Sequence, residues 1–429
     1  MMTRPFTTDR RPSLPATAWP LVGPTDHDGT AVIVGWGDAV LPATPSSGLT
    51  ELDPLLQEGQ CGFDSAVLAV LPLRGRGRAL LVLGHASAGL AAASAAVGGL
   101  SSTQRARLLQ AAQGVSVIEV EQAGPDRRWR MRHPRNHGYN RRLGTTTAIA
   151  CTGPVPELAA SPGVGPAGVW APAGGTATAW GTVLLAESPA CNVHRGVGPP
   201  PGRSCCGWVV EIDPFDPHSV PRRHTALGRA RYAGVLAATT AAGRPVVHLR
   251  ERGGLLLRFT SCRRASRGIG ATDRARNAGL LHDGTLAVAR LDRPPTSRAN
   301  GGGTWLPLVS VGVSAVAGMS AAQVLADTSG AARAVGATTI TEAVQLPIVG
   351  LRRSPGGAEH EEQVIELDDT GASSFTWRVR HAVDPLTPVL SNRRPAGLFH
   401  AASGTAFLSS VPPAATSMTT RVGVRAVPL

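Results

Sequence analysis

Short apolar runs bounded by turn-forming residues recur along most of the sequence, and they constrain the fold more than any other feature. Glycine and proline supply 51 and 35 of the 429 residues, and both interrupt helix interiors. The runs are strand-length, rich in Val, Leu and Ile, and end at Gly, Pro or Asp. They occupy residues 31–37, 66–73, 79–85, 114–121, 181–187, 207–214, 244–250, 254–261 and 284–292. Helical patterns are confined to residues 100–113 and 320–335. The sequence therefore predicts an all-β fold with a few short helices, of the sandwich, barrel or propeller kind.

The chain is expected to form one domain behind a short arm. Residues 1–30 are rich in Pro and Thr and predict an extended N-terminal arm, whereas residues 31–429 contain no linker long enough to divide them. The arm lacks the apolar run of about 7–15 residues that a signal peptide needs. Residues 305–326 are uncharged but rich in Ala, Ser and Gly. Because membrane insertion depends on Leu, Ile and Phe, we expect a strand, a loop and a short helix there rather than a membrane span.

The chain contains no lysine, so its 42 basic residues are all arginine. This excludes P-loop nucleotide binding, pyridoxal phosphate catalysis and protein kinase activity, each of which needs a lysine side chain. The formal charge is +13, but arginine without lysine is also the composition that a GC-rich genome produces. The charge alone is therefore not an indication of nucleic-acid binding.

The segment GWVVEIDPFDPHSVPRRHTALGR, residues 207–229, carries the clearest chemical signal. Glu211 and Asp213 are two residues apart on its strand, so their side chains are expected on one face. Two carboxylates at a strand end suit a hard cation, which binds oxygen ligands. The alternative is a solvated strand end without a ligand.

This segment also resembles the PhoX family of alkaline phosphatases, in which such a strand is followed by HTALGR. Further stretches are similar to the family in the same order along the chain. They are VIVGWGD (32–38), AVLAVLPL with ALLVLGH (66–85), GVSVIEVE (114–121), Tyr139-Asn140-Arg141-Arg142, AWGTVLLAE (179–187), LLHDGTLAVARLD (280–292), WLPL (305–308), VLADTSGAARAVGAT (324–338) and FTWRVRHAVDP (375–385). The resemblance implies a six-bladed β-propeller with inserted loops, periplasmic or extracellular, that hydrolyses small phosphomonoesters. We expect a monomer.

The resemblance also implies a bound cluster of calcium and iron. Where the family has metal-binding carboxylates, this chain has Glu187, Glu211 and Asp384. His85, Asp64 and Asp213 are further candidates for a metal site. Several anionic ligands are needed to offset multivalent cations that polarise phosphoryl oxygens.

Other ligand positions of the family carry different residues here. The family has a metal-binding cysteine before the WGT strand, but residues 171–175 read Ala-Pro-Ala-Gly-Gly. Its Arg-Pro-Glu motif is replaced by Thr-Glu-Ala-Val in residues 341–344. Its Asn-Asp, Asn-His-Glu and Pro-Asp-Asn motifs correspond to Asp-Ser-Ala (64–66), Gly-His-Ala (84–86) and Pro-Ala-Gly (395–397). We therefore expect phosphatase activity that is reduced or lost.

An arginine-rich segment supports an alternative function. It contains Arg127, Arg128, Arg130, Arg132, Arg135, Arg141 and Arg142, with Trp129 and Tyr139 between them. Arginine forks beside aromatic rings suit phosphate backbones and unstacked bases. The alternative is thus a non-catalytic propeller that binds nucleic acid or another polyanion, and the simpler interpretation of the segment is a basic surface loop.

A cysteine and histidine group offers another kind of site. Cys191, His194, Cys205 and Cys206 could bind zinc, although adjacent cysteines are not a common zinc-finger pattern. Thiols in an inserted loop are the alternative.

Overall fold

The computed structural model describes residues 32–41, 44, 53–62, 65–74, 77–85, 100–125, 128–132, 138–160, 168–170, 172–187, 206–266, 268–293, 300–340, 362–369, 372–382, 394–401, 405–411 and 423–428. The predicted N-terminal arm, residues 1–30, lies outside these ranges.

Strands dominate the described residues. They are β1 (Val32–Gly35), β2 (Ser65–Pro72), β3 (Arg78–His85), β4 (Gly114–Ala123), β5 (Arg128–Met131), β6 (Arg141–Leu143), β7 (Ala150–Thr152), β8 (Pro172–Ala177), β9 (Val183–Glu187), β10 (Val209–Ile212), β11 (Arg222–His224), β12 (Tyr232–Thr239), β13 (Pro245–Glu251), β14 (Leu256–Ser261), β15 (Gly284–Leu291), β16 (Asn300–Ser310), β17 (Val313–Ser314), β18 (Glu362–Asp368), β19 (Ser374–Ala382), β20 (Arg394–Ala401), β21 (Thr405–Val411) and β22 (Gly423–Pro428). The helices are α1 (Pro54–Gln57), α2 (Ser102–Ala112), α3 (Pro156–Ala159), α4 (Ala271–Asn277), α5 (Ala321–Ala326) and α6 (Thr328–Ala334), and a 3-10 turn spans Thr225–Leu227. The predicted β class with few short helices is confirmed.

The described strands form four sheets. Their orders are β1-β22-β21-β20, β2-β3-β4-β5, β7-β11-β10-β9-β8 and β12-β13-β14-β15-β16-β19-β18, with β6 beside β4 and β17 beside β16. The expected six blades are not seen as separate sheets in these ranges. The reason is β16, which pairs with β15 on one edge and with β19 on the other. A blade edge would leave one side of this strand unpaired, whereas here it lies inside a single eight-stranded sheet.

The two predicted helical segments behave differently. Helix α2 begins at a capping box, in which Ser101 and Gln104 each accept a hydrogen bond from the other's backbone N–H. The segment 320–335, predicted as one helix, is divided into α5 and α6 by Asp327, which has φ −134° and ψ 71°. The Asp327 carboxylate accepts the Gly330 N–H at 3.0 Å, so it caps α6 instead of continuing α5. Residues 305–326 form the expected strand, loop and short helix, and no described helix is long and apolar enough to cross a membrane.

The sheet that contains β9 and β10 lies between two hydrophobic cores. Leu184 and Val209 belong to one core, and Leu185 and Val210 belong to the other. Successive side chains of a strand point to opposite faces. The position of a residue along β9, β10 or β11 therefore decides which core its side chain enters.

The first and last described strands are neighbours. Strand β1 pairs antiparallel with β22, and Gly35 lies opposite Gly423. The two ends of the described chain thus share one sheet.

Gly114, where the chain passes from α2 into β4, requires the absence of a side chain. Its φ is 111°, and an added Cβ would lie 2.1 Å from the Leu143 carbonyl oxygen. We expect Gly114→Ala to lower the free energy of unfolding by about 2 kcal/mol or more, because strain and overlap combine. Urea denaturation would measure it.

Gly138→Ala is the matched control, because an added Cβ there meets nothing within 4 Å. Equal stability of the two variants would contradict the prediction.

Candidate functional site

Among the described candidate carboxylates, Glu211 has the most side-chain partners within the protein. It lies on β10 with its side chain buried. Its Oε1 accepts hydrogen bonds from Trp180 Nε1 at 2.9 Å and Thr182 Oγ1 at 2.6 Å. Its Oε2 lies 2.9 Å from Arg222 Nη2 and 3.0 Å from His224 Nε2. Both oxygens are therefore already held by protein donors.

These contacts stabilise the charged form of Glu211. Burial alone would oppose ionisation, but the hydrogen bond and charge of His224, the charge of Arg222 and the hydrogen bond of Thr182 outweigh it and lower the pKa of Glu211 to about 2. The arrangement is that of a neutralised buried anion.

Glu187, at the end of β9, forms a separate buried ion pair. Its Oε1 lies 3.1 Å from Arg223 Nη2, and both side chains are fully buried. The backbone N–H groups of Trp170 and Trp208 also donate to its carboxylate. Burial raises the pKa of Glu187, and the Arg223 guanidinium opposes that shift. This carboxylate too has its donors within the protein.

The structure does not bring Glu187 and Glu211 together. In the β9–β10 ladder Glu211 lies opposite Leu184, three residues before Glu187. Directly opposed residues share a face and an odd spacing reverses it, so the two carboxylates point to opposite faces of the sheet. The basic partners of the two carboxylates also lie on opposite faces, because Arg222 and His224 alternate with Arg223 on β11. In the described residues these two carboxylates therefore do not converge on one site, and their joint role as metal ligands stays a prediction.

Asp213 and His85 are also engaged elsewhere. Asp213 follows β10, and its Oδ2 lies 2.6 Å from Arg274 Nε while its Oδ1 accepts the Phe215 N–H. Its side-chain partners differ from those of Glu211. His85 is fully buried between two serines, with Nδ1 3.2 Å from Ser65 Oγ and Nε2 2.7 Å from Ser116 Oγ.

The described residues do not fit the calcium and iron cluster that the resemblance implies. Within these ranges no group of three or more His, Cys, Asp or Glu side chains could hold a metal ion. The donor oxygens of Glu187 and Glu211 face guanidinium groups, which repel a cation. Asp384 and Asp64 lie outside the described residues.

Most described arginines of segment 127–142 contact the protein itself. Arg142 is buried and donates to the carbonyl oxygens of Gln60, Ala111, Gln113, Val115 and Leu143. Burial lowers its pKa to about 10, so it stays charged at neutral pH.

The neighbouring arginines are oriented in the same way. Arg132 pairs with Glu119 at 2.9 Å and Glu121 at 3.1 Å, and Arg141 donates to Asp216 and Ser219. The rings of Trp129 and Tyr139 pack against hydrophobic cores. These five side chains therefore do not form the stacking surface that the polyanion interpretation requires.

The remaining members of that segment are described only in part. Arg130 is half-buried on β5, and the side chain of Arg128 and all of Arg127 and Arg135 lie outside the description.

The proposed zinc ligands include a cysteine that is not a thiol. Cys206 is disulfide-bonded, whereas zinc binds a thiolate. Cys191, His194 and Cys205 lie outside the described residues. Cys206 can therefore be removed from the zinc set.

The sequence analysis identified Glu187 and Glu211 but missed the basic side chains that pair with them. Arg222 and Arg223 directly precede HTALGR in the segment singled out by the sequence, and His224 is the first residue of that motif. The signal that could have found them is the alternation Arg-Arg-His on a short strand, which places basic groups on both faces of a buried sheet.

We expect Glu211→Gln to destabilise the protein in a pH-dependent manner. The pKa of this carboxyl is about 2 in the folded chain against an ordinary value of 4.5. Its contribution, on the order of 3 kcal/mol, is therefore complete above about pH 5 and is lost as the pH falls toward about 2. Urea denaturation at pH 7, 5, 4 and 3 should show the difference between variant and wild type shrinking. The exposed Glu157→Gln is the control, and a pH-independent difference would contradict the assignment.

A double-mutant cycle should reveal the coupling between Glu187 and Arg223. Glu187→Gln leaves a buried guanidinium without its counter-charge, and we expect a loss of about 3–5 kcal/mol. Combined with Arg223→Met, the loss should be smaller than the sum of the single losses by about 2 kcal/mol, because no unpaired charge remains. Strict additivity would show that the two side chains do not interact.

Comparisons with known proteins agree with the fold. A family model described as alkaline phosphatase PhoX matches residues 24–347. Among solved structures the chain is similar to Pseudomonas fluorescens PhoX in complex with vanadate, a transition state analogue, with TM-score 0.67 and 22% identity over 93% of this chain and 83% of that chain. A comparison with curated proteins finds no match. Because the family match spans well over half of the sequence, the chain belongs to the PhoX family of alkaline phosphatases.

Proposed function

We propose that this PhoX family member acts on small phosphomonoesters as an alkaline-phosphatase-type hydrolase whose activity is reduced or lost. One observation carries the proposal: the family framework persists, but its two described candidate metal carboxylates are buried in ion pairs with arginine. The family supports a phosphate ester as ligand. The ion pairs support a loss of metal-dependent turnover.

The groups that surround Glu187 and Glu211 favour reduced or lost phosphatase activity. A cation at Glu211 would have to displace Arg222 and His224 from the same carboxylate oxygen. A cation at Glu187 would meet Arg223, which is held by the Ala159 and Gly168 carbonyl oxygens. When bound, calcium and iron would polarise the phosphoryl oxygens. Of the predicted carboxylates, Asp384 and Asp64, which lie outside the described residues, remain the candidate ligands.

An oxidising compartment fits the same proposal. The disulfide at Cys206 is the kind of bond that persists in the periplasm or outside the cell. The disulfide therefore supports the periplasmic or extracellular location that the family resemblance implies. The six-bladed propeller likewise stays a prediction for the whole chain.

The non-catalytic polyanion binder remains the alternative. The internal contacts of Arg132, Arg141 and Arg142 do not favour it at segment 127–142.

The test is a phosphatase assay on metal-loaded protein. Purified with iron and calcium, the protein should hydrolyse p-nitrophenyl phosphate between neutral and alkaline pH far below the roughly 1–10³ s⁻¹ typical of enzymes. Elemental analysis should find less than one iron per chain. Stoichiometric iron with turnover in the ordinary range would overturn the proposal.

Substitution at Asp384 sharpens this assay. Where residual turnover is measurable, Asp384→Asn should remove it, whereas the exposed Glu157→Gln should leave it unchanged.

A further inference from the structure

A cavity of about 600 Å³ lies between the start of β12, the turn after β13 and the junction of α5 and α6. Four of its lining side chains are arginines, which come from three separate stretches of the chain. They are Arg229, Arg231, Arg252 and Arg333. Small-molecule sites typically have volumes of about 300–1,000 Å³, so this space suits a compact ligand.

The two acidic side chains of the lining, Glu251 and Asp327, accept hydrogen bonds from backbone N–H groups. The carboxylate of Glu251 is buried and accepts the Gly253 N–H at 2.6 Å. Asp327 accepts the Gly330 N–H at 3.0 Å as the cap of α6. The lining thus has four guanidinium groups against two carboxylates, and it carries a net positive charge.

Three of the arginines differ from those near the candidate metal carboxylates. Across the ranges that the structure describes, the side chains of Arg231, Arg252 and Arg333 make no hydrogen bond or ion pair, unlike Arg222 and Arg223. Like charges around one cavity repel each other, and a bound anion would relieve that repulsion. The unpaired charge therefore points to an anionic ligand.

The backbone that carries these arginines is fixed by hydrogen bonds between the lining segments. Arg229 donates its N–H to the Leu325 carbonyl oxygen at 2.9 Å and its Nε–H to the Cys206 carbonyl oxygen at 2.8 Å. The Arg252 N–H donates to the Arg231 carbonyl oxygen at 2.7 Å. These bonds fix the backbone positions from which the exposed side chains of Arg231 and Arg252 extend.

We propose that this four-arginine cavity binds a small, multiply charged phosphate compound without a metal ion. Guanidinium groups bind phosphate oxygens through paired hydrogen bonds, and several of them can share one polyphosphate. The volume favours a compact ligand over a polymer. Binding does not depend on hydrolysis, so this site is separable from the proposed phosphatase activity.

Isothermal titration calorimetry of the full chain with inorganic pyrophosphate tests the proposal, in low salt and with EDTA present. We expect one pyrophosphate per chain and an affinity that falls as salt is raised. The double variant Arg231→Gln with Arg252→Gln should weaken binding by about tenfold or more, because charge-assisted hydrogen bonds are lost. Arg333→Gln should weaken it independently. Absence of binding by the wild type would overturn the proposal, whatever the phosphatase assay shows.

A matched control separates the cavity from the overall charge. Arg276 and Arg290 are exposed and lie outside the cavity, so Arg276→Gln with Arg290→Gln removes the same charge and should change the affinity by no more than about twofold. Equal weakening by both double variants would overturn the cavity assignment. Citrate binding as tight as pyrophosphate would overturn the preference for phosphate. A single-stranded oligonucleotide that binds more tightly than pyrophosphate would overturn the small-ligand assignment.

Discussion

The sheet that contains β9, β10 and β11 depends on the neutralisation of two buried glutamates, one on each of its faces. Strand β11 has three residues, and its Arg-Arg-His sequence sends basic groups to both faces of the sheet. Glu187 pairs with Arg223 on one face, and Glu211 contacts Arg222 and His224 on the other. Because both faces are covered by hydrophobic cores, neither acid could stay ionised there without these partners.

The same constraint fixes the register of β11. A slip by one residue would exchange the faces of Arg223 and its two basic neighbours. Such a buried pair is weak evidence for stability, since apolar side chains of similar size are often as stable, but it penalises wrong pairings heavily. The buried pairing also shows that the identity of a residue and the role of its side chain are separate properties. Glu187 and Glu211, predicted as metal ligands from the resemblance, have their carboxylate oxygens in ion pairs within the sheet.

The positions of many strands and of one helix could be predicted from the sequence, but the contacts between strands could not. The apolar runs became β3, β4, β9 and β10, and the helical pattern of residues 100–113 became α2. Strands β8 and β12 were missed because Gly and Ala dominate β8 and are frequent in β12. An added Cβ at Gly174 would lie 2.9 Å from the Gly234 Cα, so the composition reflects the close approach of two backbones. At the site the acids were visible, but their partners depend on register, which a single sequence does not display.

The pairing of β1 with β22 joins two strands that are far apart in the sequence. Strand β1, Val32–Gly35, gains this described neighbour only after Gly423–Pro428 has been synthesised, so its pairing waits for a segment far along the sequence. The entropic cost of closing so long a loop grows only slowly with its length. The pairing of β1 with β22 therefore costs little more entropy than a far shorter connection would, while it delays the completion of this sheet.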